Sequence, residues 1–281
     1  MREGIRWPGF SQDRHRIEGE LRRLLKRGPH GPSHLREAMR YAVLGNGQRL
    51  RPLLALRSAR LVGGEGPLAL RCAAAVEVLH CASLMVDDLP CMDNEQERRG
   101  RPTVHCVYGH STALLASFAL VALAARSVVE LECTPAQLSS LIRFQIALLQ
   151  LLDVNGLCEG QELDLHLKGW ERENQRGRIN QLKTASLFEL AAQAGTVTLD
   201  PQSWEATQLH RFGREYGHCY QLVDDYLDGE ISDVQEIKAR LTRLRTGLKP
   251  FEPAGGELLE LISYLEQRCL SHASQANLHH R

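Results

Sequence analysis

Apolar positions recur every three to four residues along almost the whole chain, and the two-residue alternation of half-buried strands is scarce. GPLALRCAAAVEVLHCASLMV, residues 66–86, is rich in Ala and Leu and predicts a core helix ending near Pro90. TPAQLSSLIRFQIALLQLLDVNGL, residues 134–157, opens with Thr134 and Pro135, suited to an N-cap and a first helical position, and predicts one long apolar-striped helix. LKTASLFELAAQAG and TQLHRFGREYGHCYQLVDDYLDG predict two further helices, each running into glycine. The run ALLASFALVALAA, Ala113 to Ala125, is too short for a membrane span and predicts a buried helix. No strand run bounded by hairpin turns, no repeat and no low-complexity linker breaks the pattern. The expectation is an all-α fold in a single domain over residues 1–281.

Proline and glycine in RGPHGPSHL and KPFEPAGGEL mark loops, neither long enough to separate domains. The opening stretch MREGIRWPGFSQDRHRIEGELRRLLKRG is charged throughout and lacks the apolar core of a secretory signal, so a cytoplasmic protein is expected. Lys+Arg number 34 and Asp+Glu 34, so no global basic field draws nucleic acid, and charge-based function has to be local. The eight cysteines contain no CxxC pair, which favours reduced structural thiols over zinc ligands.

Charge is concentrated where two apolar helices end. Asp87 and Asp88 close the first, and Pro90 disfavours helix at Leu89, so the chain turns there and can bring Asp93 back toward the pair. Downstream, Asp224 and Asp228 stack on one helix face with Asp225 beside them. Either cluster alone could be a solvated acidic face. Two of them, each ending an apolar helix, imply a cation, because crowded carboxylates raise one another's pKa. Oxygen donors without nearby His or Cys favour Mg²⁺. Magnesium on carboxylates commonly bridges to phosphates, and Arg98, Arg99 and Arg101 supply guanidinium groups for such oxygens.

HCASLMVDDLPCMDNEQERRGRPTVH and YQLVDDYLD resemble the two aspartate-rich motifs of the trans-isoprenyl diphosphate synthases, and GNGQRLRPLL, GLCEGQELDL and KTASLFELAAQAG resemble the family's remaining blocks in order. The resemblance covers residues 35 to 230. It implies an all-α bundle of the isoprenoid synthase type around a central cavity, usually dimeric, with three Mg²⁺ ions. An allylic diphosphate would ionise there, and isopentenyl diphosphate would attack the cation. Carried over by position, Asp87, Asp88, Asp93, Asp224, Asp225 and Asp228 would face metal. Arg98, Lys183, Thr184 and Gln221 would serve the allylic diphosphate, while Arg51, His80 and Arg99 would hold isopentenyl diphosphate. Gln161 and Asp164, in GQELD, read equally well as helix surface.

Three departures from the family pattern stand out. Asn46-Gly47-Gln48-Arg49 replaces Gly-Gly-Lys-Arg, so the second-substrate position Gln48 lacks a cation. Ala116 and Ser117 stand where the family has Gly-Asp, and GEISDVQEIKARL lacks the lysine-bearing loop that usually follows the second motif. An active short-chain synthase is expected; the alternatives are a catalytically silent partner subunit and an ionising enzyme that uses one diphosphate. Ala82 and Ser83, a turn before Asp87, are small, as are Ala74 and Ala75 further back. In the family such residues go with a geranylgeranyl rather than a farnesyl product, although Phe118 from another helix could still close the cavity.

Overall fold

The stretch at 66–86 forms the helix around which the others gather. The structure, a computed structural model, describes residues 10–26 and 33–279, leaving aside the side chains of Ala136 and 272–279. Residues 1–9, part of the charged opening stretch, and 27–32, most of the expected proline–glycine loop, lie outside the described residues. In chain order the helices are α1 (Ser11–Lys26), α2 (His34–Val43), α3 (Leu50–Leu61), α4 (Pro67–Asp87), α5 (Val104–Tyr108), α6 (His110–Val129) and α7 (Pro135–Gln150). They continue as α8 (Leu157–His166), α9 (Gly169–Asn180), α10 (Ser186–Gly195), α11 (Trp204–Leu227), α12 (Gln235–Leu248) and α13 (Gly256–His279).

Every residue of α4 from Cys72 to Ala82 is buried. A helix apolar on all sides has to be interior, and the small side chains of Ala73, Ala74 and Ala75 let neighbours approach. α6, α3 and α10 pack around it, and α11 lies against α10, α12 and α13. The resulting architecture is the all-α bundle expected.

Three features differ from the sequence-based expectation. α7 begins as predicted, with a capping box in which Thr134 Oγ1 accepts from the Gln137 N–H and Gln137 Oε1 accepts from the Thr134 N–H at 3.0 Å. It stops at Gln150, however, because Asp153 Oδ1 captures the Asn155 N–H at 2.7 Å in a turn that diverts the backbone before α8. The apolar run at 113–125 lies within a helix of 20 residues, and only part of it is buried: Leu114, Leu115 and Phe118 face solvent. α4 and α6 both have the length and apolarity of a membrane span; α4 uses that composition in the protein interior. Phe118, at 62 % exposure, does not close an internal cavity.

The third difference is a short antiparallel pair, β1 (Glu97–Arg98) and β2 (Arg101–Pro102), joined through Arg99 at φ 57° and Gly100 at φ 76°. Two successive left-handed residues are the signature of a tight hairpin turn, which the Arg-Gly dipeptide permits although no long strand surrounds it. All eight cysteines are free; burial pushes the Cys81 and Cys219 thiols up to about 12, so neither is a ready nucleophile.

Candidate active site

At the end of α4 the chain folds back as Pro90 implied: the Asp93 N–H donates to the Asp87 carbonyl at 2.9 Å, and the Asn94 N–H to the Leu89 carbonyl at 3.1 Å. Asp87 is half-buried, and burial pushes its carboxyl up to about 6, with Asp93 and Asp88 adding to the rise and Lys183 and Arg98 opposing it. Asp88 is differently engaged. Its Oδ1 accepts from Arg98 Nε at 2.5 Å, yet burial still lifts its pKa above the ordinary value. Asp93 Oδ1 accepts from Gln161 Nε2 at 3.1 Å, so the buried Gln161 of α8 belongs to the site's wall rather than to a helix surface.

Below the hairpin lies a basic base. His80 Nε2 stands 3.1 Å from Arg51 Nη1 and 3.2 Å from Arg99 Nη2, so two guanidinium groups point at one ring nitrogen. Burial first, and then Arg51 and Arg99, hold the His80 pKa well below its usual value. The neutral ring accepts at Nε2, and its buried Nδ1, like the buried Nε of Arg51, has no hydrogen-bond partner. The Arg51 guanidinium lies 4.4 Å over the Phe188 ring, and burial lowers its pKa.

Arg49, which the sequence singled out only as part of the divergent Asn-Gly-Gln-Arg block, anchors this base. It sits at φ 59° as the N-cap of α3. From there it donates to Glu18 and Glu77 at 2.8 Å each and to the carbonyls of Val43 at 2.7 Å and Gly45 at 3.1 Å. Burial works against its charge, but Glu77 and Glu18 keep its pKa above the usual value. A buried arginine two residues from Arg51, paired with a glutamate one turn from His80, fixes both groups. Gln48 is exposed. A cavity of about 60 Å³ lies on the Cys81, Leu84 and Met85 face of α4, bounded also by Tyr41, Arg99 and Arg101. Ala82 is buried on the same helix, and Ser83 Oγ donates to the His80 carbonyl at 3.0 Å.

The second half of the site is assembled from distant segments. Between α9 and α10 the helix widens to a π turn over Gln181–Ala185, which carries Lys183 and Thr184. Glycines on both sides let neighbours reach it. A Cβ at Gly160 would lie 2.9 Å from Lys183 Cγ, and one at Gly217 would lie 2.6 Å from Ala185 Cα. Lys183 Nζ donates to Asp164 Oδ2 at 2.6 Å, so Asp164 too is part of the site, and Thr184 Oγ1 donates to Gln221 Oε1 at 2.8 Å. Gln221 Nε2 in turn donates to Asp225 Oδ1 at 2.8 Å, whose Oδ2 accepts from Arg176 of α9 at 3.1 Å. Asp224 pairs with Arg268 of α13 at 2.8 Å. Burial lifts Asp224 above the ordinary carboxylate range, while Arg268, its charge opposed by burial but held by Asp224, lies above its own usual value. Arg176 and Arg268 escaped the sequence reading, since only the fold brings them to these acids.

The donors at both ends are carboxylate oxygens, the chemistry that suits Mg²⁺. Asp87, raised by burial and by two like charges, is the kind of group a cation would relieve. Among the described residues no three His, Cys, Asp or Glu side chains are drawn around one point. Instead Arg98, Arg176, Arg268 and Lys183 hold Asp88, Asp225, Asp224 and Asp164.

The chain resembles known proteins in sequence and in fold. The chain is 41% identical over 202 residues to geranylgeranyl pyrophosphate synthase 4 of Arabidopsis thaliana, covering 70% of this chain and 53% of that protein. It is 40% identical over 202 residues to the heterodimeric geranylgeranyl pyrophosphate synthase large subunit 2 of the same plant, covering 70% and 53%. The chain thus spans about half the length of the curated relatives it matches. Among solved structures, a geranyltransferase from Legionella pneumophila superposes with a TM-score of 0.85 at 29% identity, over 92% of this chain and 96% of that one. An FPP/GFPP synthase from Zymomonas mobilis gives 0.81 at 28% identity, over 91% and 98%. The polyprenyl synthetase family model matches residues 32–244, a span that takes in the arginine base, the hairpin, the π turn and both aspartate clusters, and the chain belongs to that family.

Proposed function

We propose that this protein is a Mg²⁺-dependent short-chain trans-prenyltransferase that condenses isopentenyl diphosphate with an allylic diphosphate. The observation that carries the reading is the presence of two separate sets of groups, an acid-rich rim of Asp87 to Asp93 with Lys183 near Asp87, and a cationic cluster in which Arg51 and the exposed Arg99 both reach the buried His80. Two diphosphates need two such places. Asp87, Asp88, Asp93, Asp224, Asp225 and Asp228 would hold three magnesium ions, which when bound withdraw charge from the leaving diphosphate. Arg98, Lys183, Thr184 and Gln221 bind that diphosphate and stabilise its growing charge as the carbon–oxygen bond breaks. Arg51 and Arg99, oriented on His80, hold isopentenyl diphosphate so that its double bond attacks the allylic cation, after which a proton is lost. The apolar helices keep water from the cation.

The chain acts as one domain and as a homodimer. The support is an apolar face, Leu114, Leu115 and Phe118 of α6 with Leu138, Ile142 and Ile146 of α7, that is exposed in the single chain. The small side chains of Ala82 and Ser83, a turn before Asp87, favour a geranylgeranyl product over farnesyl. Incubation with Mg²⁺, isopentenyl diphosphate and each allylic diphosphate, with products identified by mass, tests the reading; absence of any elongated product would refute it. Ala82→Phe should shorten the product by one five-carbon unit, and an unchanged distribution would remove this helix as the ruler.

A second reading, a silent subunit that supports an active partner, is favoured by one observation: cations of the chain itself already pair with Asp88, Asp164, Asp224 and Asp225. It is distinguished by the same incubation run with the purified chain alone.

A further inference from the structure

We propose that Arg172 and Arg176, one turn apart on α9, are diphosphate-binding cations that serve in place of the lysine missing from the loop after Asp228. The inference rests on the prenyltransferase reading and assigns it two further residues. The segment from Gly229 to Val234, GEISDV, contains no basic residue and two acids. An anion at Lys183 and Thr184 therefore meets no positive charge from that loop. The charge enters instead from α9.

Spacing by four puts Arg172 and Arg176 on one face of that helix. Arg172 Nε and Nη2 donate to Asp164 Oδ1 at 3.0 and 2.8 Å, while Lys183 Nζ holds the other oxygen, Oδ2, at 2.6 Å. Arg172 and Lys183 are thus separated by the width of one carboxylate. Arg176 Nη2 donates to Asp225 Oδ2 at 3.1 Å, and Asp225 Oδ1 receives Gln221, itself bonded to Thr184. The two arginines bracket the Lys183–Thr184 turn, Arg172 one acid away from Lys183 and Arg176 an acid and an amide away from Thr184. Carboxylates here occupy the hydrogen-bonding positions that phosphate oxygens would take. When Asp225 turns to a cation, the Arg176 fork keeps Glu230, at 2.6 Å, as its nearer competing acceptor and Glu173, at 3.6 Å, as a more distant one.

Simple neutralisation of surplus acids is the rival explanation, and the two differ in sign. If the arginines bind phosphate, removing them weakens diphosphate binding. If they only neutralise Asp164 and Asp225, removing them frees carboxylates for Mg²⁺ and strengthens it.

The test is calorimetric binding of inorganic pyrophosphate to the full chain in Mg²⁺, without turnover. Arg172→Gln/Arg176→Gln should bind pyrophosphate about tenfold to a hundredfold more weakly than wild type, the range expected for losing charge-assisted contacts. Glu230→Gln, which removes the charge of the nearer competing acceptor, should bind it severalfold more tightly, and this variant decides the matter if the double substitution does not fold. In turnover, the double variant should raise KM for the allylic diphosphate and leave that for isopentenyl diphosphate unchanged. Equal or tighter pyrophosphate binding by the double variant, or no gain from Glu230→Gln, overturns the assignment of these arginines alone. Failure of wild type to bind pyrophosphate in Mg²⁺ overturns the prenyltransferase reading with it.

Discussion

The acids after α4 and those at the end of α11 resemble each other as strings and are held by different means. Asp87, Asp88 and Asp93 lie on a turn closed by its own backbone, and Arg98 comes from a hairpin ten residues on. Asp224 and Asp225 are held across the fold, by Arg268 from α13 and Arg176 from α9. Among the described residues Asp87 makes no ion pair, and burial raises it to about 6 against the pull of Lys183 and Arg98, whereas Asp224 and Asp225 each carry a cation. A carboxylate kept without a counter-charge is poised to take one up. A carboxylate already paired would have to share or exchange its partner before holding a cation, which at α11 involves the side chains of Arg176 and Arg268.

The deepest way to break the first region is through Arg49, for which the second has no counterpart. Arg49→Met leaves Glu77 buried and unpaired and should cost about 3–5 kcal/mol in urea denaturation, the range for removing one partner of a buried ion pair. A loss under 1 kcal/mol would show that the base does not depend on this residue.

Asp87→Ala and Asp224→Ala should each lower turnover about a hundredfold or more, as expected when charge stabilisation in the transition state is removed. Their stabilities should diverge. Asp224→Ala strands Arg268, whose Nη1 is already buried without a partner, and should lower the melting temperature by several degrees for a cost of about 1–3 kcal/mol. Asp87→Ala strands no cation, and its melting temperature should hold or rise. Equal melting shifts would erase the distinction between the two regions.

A pH series sharpens it further. The folded Asp87 carboxyl titrates near 6, against an ordinary 3.8. Between those values the folded protein keeps a proton that the unfolded chain has lost, so stability falls as pH rises through the interval and stays lowered above it. In metal-free protein Asp87→Asn should be about 3 kcal/mol more stable than wild type at pH 7, a difference that disappears below pH 4. A constant difference across pH would disprove the cause.

The smallest effect is expected at Gln48. Because that side chain is exposed, Gln48→Lys should lower the Michaelis constant for isopentenyl diphosphate only a few-fold, corresponding to about 0.5–1 kcal/mol in a screened setting. No change would place position 48 outside the second-substrate site.

Helix existence was legible because burial follows periodicity, and α4 reads as a core helix from composition alone. The turn at Pro90 was legible because its cause lies within six residues. The break after Gln150 was not, since apolar periodicity continues through Leu151 and Leu152 and only a local Asp153 turn diverts the chain. The burial of α6 was overestimated for a related reason: an apolar run shows what a helix avoids, not which neighbour covers it, and Phe118 is left facing solvent. At the site, the aspartates, Lys183 and His80 could be named, whereas Gln161 and Asp164 passed for surface.

By itself, then, the sequence determined the all-α class, the two acidic helix ends and the turn at Pro90, because propensity, capping and proline act over a few neighbouring residues. The tertiary structure alone decided that Arg49 pairs with Glu77 a turn before His80, that Arg51 reaches His80, that Arg268 closes on Asp224, and that α9 brings Arg172 and Arg176 to Asp164 and Asp225. Except for Arg172–Asp164, eight positions apart, these contacts join residues separated by 28 to 49 positions. The distances that give a charge its effect exist only after the helices have packed.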